Sequence, residues 1–127
     1  MGERGAKKHP ADEAFCQRLV ERLGEEAIPG LGYRSMFGGF GLFASSGMFG
    51  IVSKGALYLK ADDVNRDRFV QAGSRQHRPM PYWEVPQRVL ESTRSLRTWA
   101  IAAAEAAARA GSAKKRTRSP KATERKK

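Results

Sequence analysis

The first residues to test for chemistry are the glycines of MFGGFGLFA, residues 36–44. Read from Gly39, the stretch spells G-x-G-x-x-A, a spacing that cradles a pyrophosphate in dinucleotide-binding units. Asp62 and Asp63 lie about twenty residues further on, where such a unit holds a ribose. The chemistry also needs a helix N-terminus directly after the glycines, because its free amides and dipole hold the phosphate. After Gly41 comes LFASSGMFGIV, the pattern of a hairpin. A kinase-type glycine loop does sit in a hairpin, but this chain is too short and carries neither H-R-D nor D-F-G. The stretch therefore reads as a bend in a sheet. Gly38, Gly39 and Gly41 would supply positive φ, a bulge or close backbone approach. Met36, Phe37, Phe40 and Phe43 would feed the core.

The remaining reactive residues do not assemble into a catalytic set. Cys16 is the sole cysteine, on the apolar stripe of a helical pattern, and reads as a small core residue. With His9 and His77 as the only histidines, no zinc set is expected, nor any cofactor. His9 falls in a charged N-terminal arm and His77 in a polar loop. Asp62 and Asp63 are adjacent and suit helix capping better than paired acid–base work. Glu84 alternates with Trp83 and Val85, so it faces water or pairs with an arginine such as Arg34. No G-x-S-x-G elbow is present, and nothing forms a nucleophile, base and orienter. No catalytic residue is assigned, and the chain reads as a non-enzyme.

The elements that position these residues follow from periodicity. Between residues 11 and 23, Phe15, Leu19 and Leu23 recur at intervals of four, widened by Cys16 and Val20, which predicts an amphipathic helix. Asp12 and Glu13 suit its positive end, and Gly24 its stop. Residues 33–37, 40–44, 48–53 and 56–61 then read as four strands joined by turns of two or three residues. In ALYLK, Leu57 and Leu59 share one face, and Tyr58 and Lys60 the other. Such short connections require antiparallel pairing. A short helix comes next through Val64, Phe69 and Val70, capped by Asp62 or Asp63. A polar loop over residues 74–81 leads to a fifth strand over 81–85, stopped by Pro86. After a short turn, Ser92 caps a last helix running through Leu96, Trp99, Ala100, Ala103 and Ala107 to Gly111. Its alanine-rich half has high helicity and permits close approach to a sheet or another helix. The expected fold is a single small α+β domain, an antiparallel sheet of about five strands flanked by helices, in the order α-β-β-β-β-α-β-α over residues 11–111.

Charge is distributed unevenly. The chain carries 24 Lys and Arg against 13 Asp and Glu, net +11. Residues 113–127 hold Lys114, Lys115, Arg116, Arg118, Lys121, Arg125, Lys126 and Lys127 against Glu124 alone, net +7, leaving +4 for the rest. Residues 1–10 and 112–127 are expected to be disordered, the latter as a basic tail. No apolar run approaches the roughly 18 residues of a membrane span. No apolar segment succeeds the first charges as a secretory signal would require. A cytoplasmic protein without membrane contact is the expectation.

Taken together, the motifs resemble a known family. The run RSMFGGFGLFASSGMFGIVSKGALYLKAD, then RFVQAGS, then MPYWEVPQRVLES is similar to the N-terminal domain of the TfoX/Sxy proteins. There an R-x-M-F-G-G-Y-G segment precedes M-F-G-L, a G-x-L-Y-L-K strand and an M-x-Y-Y-E-[LV]-P segment. Met36, Phe37, Gly38, Gly39 and Gly41 match as they stand, as do Leu57, Tyr58 and Lys60, then Tyr82 and Glu84. Phe40 replaces the usual tyrosine, and Trp83 a second aromatic. The resemblance covers roughly residues 12–110. It implies a bacterial α+β domain without catalytic activity, linked to regulation of DNA-uptake competence genes. Longer members carry a second, C-terminal domain, whose place here is taken by the basic tail.

The expected function is that of a non-enzymatic regulatory or adaptor domain acting through a protein partner, with tail contacts to nucleic acid. Tail phosphate contacts would carry no sequence information. Two other readings stand beside it. Phe40, Tyr58, Tyr82 and Trp83 could line a pocket for a small ligand or an uncharacterised enzyme activity. Sheet edges and the alanine face of the last helix could make a homodimer.

Overall fold

The computed structural model describes the backbone of residues 10–36 and 38–126, and side chains within that span up to residue 112. Residues 1–9 of the expected N-terminal arm, Phe37, and the side chains of the eight basic tail residues lie outside the described residues, while Pro10 opens the first helix.

Among the described residues nine elements succeed one another: α1 (Pro10–Leu23), β1 (Gly32–Met36), β2 (Gly39–Ala44), β3 (Gly47–Ser53), β4 (Ala56–Lys60), α2 (Arg66–Gln71), β5 (Tyr82–Glu84), α3 (Gln87–Leu90) and α4 (Thr93–Lys126). The expected short turn before the last helix is the one-turn helix α3. Helix α4 begins where Ser92 predicts: its Oγ accepts the Ser95 N–H at 3.2 Å and its carbonyl the Leu96 N–H at 2.8 Å. The bounds of α4 extend through the segment expected as a tail.

All five strands form one antiparallel sheet in the spatial order β1-β2-β3-β4-β5, identical to their order in sequence. The turn between β3 and β4 is two residues, Lys54 and Gly55, both at positive φ, which matches the twist of a tight hairpin.

Directly paired residues share a face. One face therefore carries Phe40, Leu42, Val52, Leu57, Leu59 and Trp83. These meet Cys16, Leu19 and Leu23 of α1, Phe69 of α2, Val89 of α3, and Leu96, Ala100, Ala103 and Ala107 of α4 in one core. Alanines let α4 lie close on β3 and β4. Ala100, Ala103, Ala106 and Ala107 are buried within the domain. Phe69 packs edge-on against Trp99, with ring centroids 4.9 Å apart.

One irregularity decides what enters this core. Leu42 pairs with Gly50 but Phe43 with Met48, leaving Phe49 as an extra residue in β3. Strict alternation would turn Phe49 to the opposite face from Gly50. The bulge keeps it on the helix side, where it is fully buried.

One capping expectation is corrected. Neither aspartate side chain caps α2: Asn65 is its N-cap residue and makes no side-chain cap bond. Asp62 instead accepts the Val64 N–H at Oδ1, closing its own turn, while Asn65 Oδ1 accepts the Asp62 N–H and Nδ2 donates to the Lys60 carbonyl. Asp12 does more than complement the α1 dipole. It is buried, and its two oxygens accept the Lys54 and Gly55 N–H groups at 2.9 and 2.8 Å.

Candidate functional site

The sheet face turned away from the helices collects most of the motif residues. The pairing puts Arg34 beside Gly41, Met36 beside Gly39, Ile51 beside Tyr58, Tyr58 beside Glu84 and Lys60 beside Tyr82. Leu57 belongs to the other side and lies in the core. The motif is thus read by both faces of the sheet.

Two glycines of the opening stretch have distinct roles. Gly38 has φ +78°, a left-handed conformation that L side chains rarely adopt, at the tip between β1 and β2. Gly41 answers a close approach. A Cβ there would lie 2.6 Å from Met36 Sδ, 2.8 Å from Met48 Sδ and 3.0 Å from a Phe43 ring carbon. The bare glycine lets both methionines fold over the sheet. Residues 39–44 are a strand that leads into a hairpin, as the sequence predicts, so they lack the helix that a phosphate loop needs.

Residues 74–81 pass over the same face. Their attachment is by backbone: the His77 N–H donates to the Tyr82 carbonyl at 2.7 Å, the Glu84 N–H to the Arg75 carbonyl at 2.8 Å, and the Met80 N–H to the His77 carbonyl at 2.9 Å. The Gln76 side chain donates to the Met80 carbonyl at 3.1 Å. His77 stands edge-on to Tyr58, with centroids 4.9 Å apart and planes at 89°. Beneath this strap lies a cavity of about 140 Å³, lined by Met36, Met48, Ile51, Ser53, His77 and Met80 with Gly39 and Phe40 at the start of β2. His77 Nδ1 is buried and has no hydrogen-bond partner among the described residues.

Next to the cavity, Tyr82 is buried, and burial pushes its phenol up to about 12. Its hydroxyl donates to the Met48 carbonyl at 3.2 Å, and Lys60 Nζ lies 5.2 Å from its ring centroid. Glu84 does not pair with Arg34. Arg34 lies over the Phe43 ring at 4.4 Å, and the partly exposed Glu84 has Arg75 at 3.9 Å. Phe43 is accordingly a half-buried platform for a guanidinium rather than core, whereas Phe40 is core.

The four aromatics expected around one pocket are not brought together. Phe40 and Trp83 face the helices, and Tyr58 and Tyr82 the other side. Cys16 is fully buried, and burial, then Asp12 and Glu13, push its thiol up to about 12. That suits the core residue the sequence predicts and not a nucleophile. Sequence reasoning missed the strap, His77 and the convergence of three methionines. The one signal that could have found them is alternation: Met36, Ile51 and Tyr58 lie out of phase with the core positions of their strands.

No helix among the described residues is long and apolar enough to cross a membrane. A comparison with curated proteins finds no match. A family model for the TfoX N-terminal domain matches residues 25–107, from the loop after α1 through the last core alanine of α4. That span takes in the whole sheet, the strap and both short helices, and the chain belongs to the TfoX N-terminal domain family.

Proposed function

We propose that the domain is a non-enzymatic regulatory or adaptor module, cytoplasmic, that acts through a protein partner, with the basic segment 114–127 adding contacts to nucleic-acid phosphates. The observation that carries this reading is the family match over residues 25–107. The side chains described support it. Cys16 is sealed in the core, and Asp62 is taken up by Arg109, so these reactive groups are committed to structure. A role in competence-gene regulation is proposed from the family alone.

The charge distribution motivates the nucleic-acid contact. If all eight basic groups reached phosphates, log K would fall with log salt at a slope of up to roughly −7, independent of sequence. Gel-shift titration of the full chain against a chain ending at Gly111 tests it. Among the described residues the last core residue of α4 is Ala107, so the shortened chain keeps every described core residue. The full chain is expected to bind duplex DNA with a steep salt slope and the shortened chain to lose it. Equal affinities at low salt would sink the tail contact. Affinity capture with and without nuclease then separates protein partners from nucleic acid.

A small-ligand reading has one specific observation in its favour, the cavity beneath the 74–81 strap.

A further inference from the structure

We propose that this cavity is a site for one soft monovalent metal ion, Cu(I), held by the thioethers of Met36, Met48 and Met80 and by His77 Nδ1. The inference is independent of the regulatory reading and stands or falls separately.

Three of the four methionines of the chain line a single small cavity. They come from two strands and the strap, so the topology converges them, not local sequence. Met36 and Met48 Sδ both lie within 2.8 Å of the point where a Gly41 Cβ would stand, which makes the sulfurs immediate neighbours. Met80 lines the same cavity from the strap, where its backbone is held by bonds with His77 and Gln76.

Thioether sulfur packs well against aromatic edges, and ordinary packing on Phe43 would account for Met36 and Met48. It does not account for His77. A buried nitrogen without a partner is costly, and native proteins rarely leave one. In the neutral imidazole carrying its proton on Nε2, Nδ1 keeps an unshared lone pair on a residue that lines the cavity. A metal ion satisfies that lone pair, and the sulfurs beside it select which ion. Thioethers favour Cu(I), whereas harder divalent ions want carboxylate or several imidazoles. Among the described residues no group of three His, Cys, Asp or Glu could hold such an ion. All four donors proposed here are neutral and leave the ion's charge uncompensated, so a monovalent ion costs less to bury there than a divalent one.

The test uses the full chain carrying Cys16→Ala, so that no thiol competes. Cu(I) is titrated anaerobically against a chromophoric Cu(I) chelator. In parallel, Ag(I), a redox-stable stand-in, is added to protein labelled with ¹³C at the methionine methyls. One ion per chain is expected. The methyl resonances of Met36, Met48 and Met80 should shift together by one equivalent, with Met1 unmoved. Met80→Leu keeps the volume, and its affinity should fall by at least the roughly tenfold that loss of an outer-shell partner costs a metal site. His77→Phe should do the same. Circular dichroism reports whether each variant is folded. Where one is not, the methyl shifts of the Cys16→Ala chain decide. No retention of either ion by the folded protein, equal shifts at all four methyls, or undiminished affinity in both folded variants would each overturn the site.

Discussion

Arg109 grips Asp62 with two parallel bonds: Nε donates to Oδ2 at 2.7 Å and Nη2 to Oδ1 at 2.9 Å, across 47 residues of sequence. The pair ties the segment just after β4 to the middle of α4. The Arg109 guanidinium holds the Asp62 carboxyl below the usual carboxylate range. Both side chains are partly exposed, so solvent screening keeps the pair in the surface class, about 0.2–1 kcal/mol. Arg109→Ala is expected to lower Tm by a few degrees, and Arg109→Lys not to restore it, because an ammonium cannot make the fork. The sign with pH follows from the lowered value. The stabilisation is fully present above the unfolded carboxyl value near 3.9 and is lost as pH falls through the native one. A double-mutant cycle with Asp62→Asn, run at pH 7 and in acid, measures both.

Asp12 is the larger single commitment. It is buried and satisfies both amides of the β3–β4 turn, so Asp12→Ala removes two bonds to a charged acceptor. The expected cost is about 2–3 kcal/mol. Asp12→Asn keeps one acceptor oxygen and should lose part of that. Urea unfolding of the three proteins checks the order, and an unchanged midpoint in Asp12→Ala would contradict the assignment.

Alkaline pH should weaken the fold in two overlapping steps. Burial raises Cys16 from 9.0 and Tyr82 from 10.0, each to about 12. In both, the unfolded state releases its proton first, so it binds fewer protons than the native state and stability falls as pH rises. The contribution is complete below pH 9.0, declines from there, and is gone once pH has passed about 12. Cys16→Ala should delay the onset of decline to the tyrosine step. Denaturant midpoints measured from pH 8 upward would reveal it. The native thiol should also resist aromatic disulfide reagents until the protein unfolds.

Gly41→Ala tests the floor of the methionine cluster. Relieving glycine of its backbone freedom gains about 0.5–1 kcal/mol. The added methyl collides with two sulfurs and a ring edge, and overpacking costs about 1–3 kcal/mol. Because methionine chains can rotate aside, net destabilisation near 1 kcal/mol is expected. The methyl resonances of Met36 and Met48 should move, and those of Met1 should not.

What the sequence reveals here is what short range decides. The turns at Ser45-Ser46 and Lys54-Gly55 and the Ser92 cap are local chemistry, and the elements they bound begin and end within a residue or two of where these predict. Helix packing is legible as well, since Leu19, Leu42, Leu59 and Ala103 follow periods that specify a buried face. The bulge at Phe49 is not, because MFGIV alternates equally well in either phase and the choice depends on the pairing with Leu42 and Phe43. Asp12 reads as a helix-end charge, because the amides it accepts from lie more than forty residues away. His77 and Met80 read as loop residues. Only the return of β5 alongside β4 lays that loop over Met36 and Met48.

The coincidence of spatial and sequence order in the sheet has a consequence for how the protein assembles. Each of the first three pairings closes only a short stretch of chain, so little loop entropy is spent before a contact rewards it. The hairpins can zip in succession, each offering an edge to the next. The demanding closure is the meeting of α1 with α4, the two ends of the domain, where Arg97 Nε reaches the Arg22 carbonyl at 2.9 Å. The sheet is therefore the local half of the folding problem, and the clasp of its two flanking helices is the long-range half.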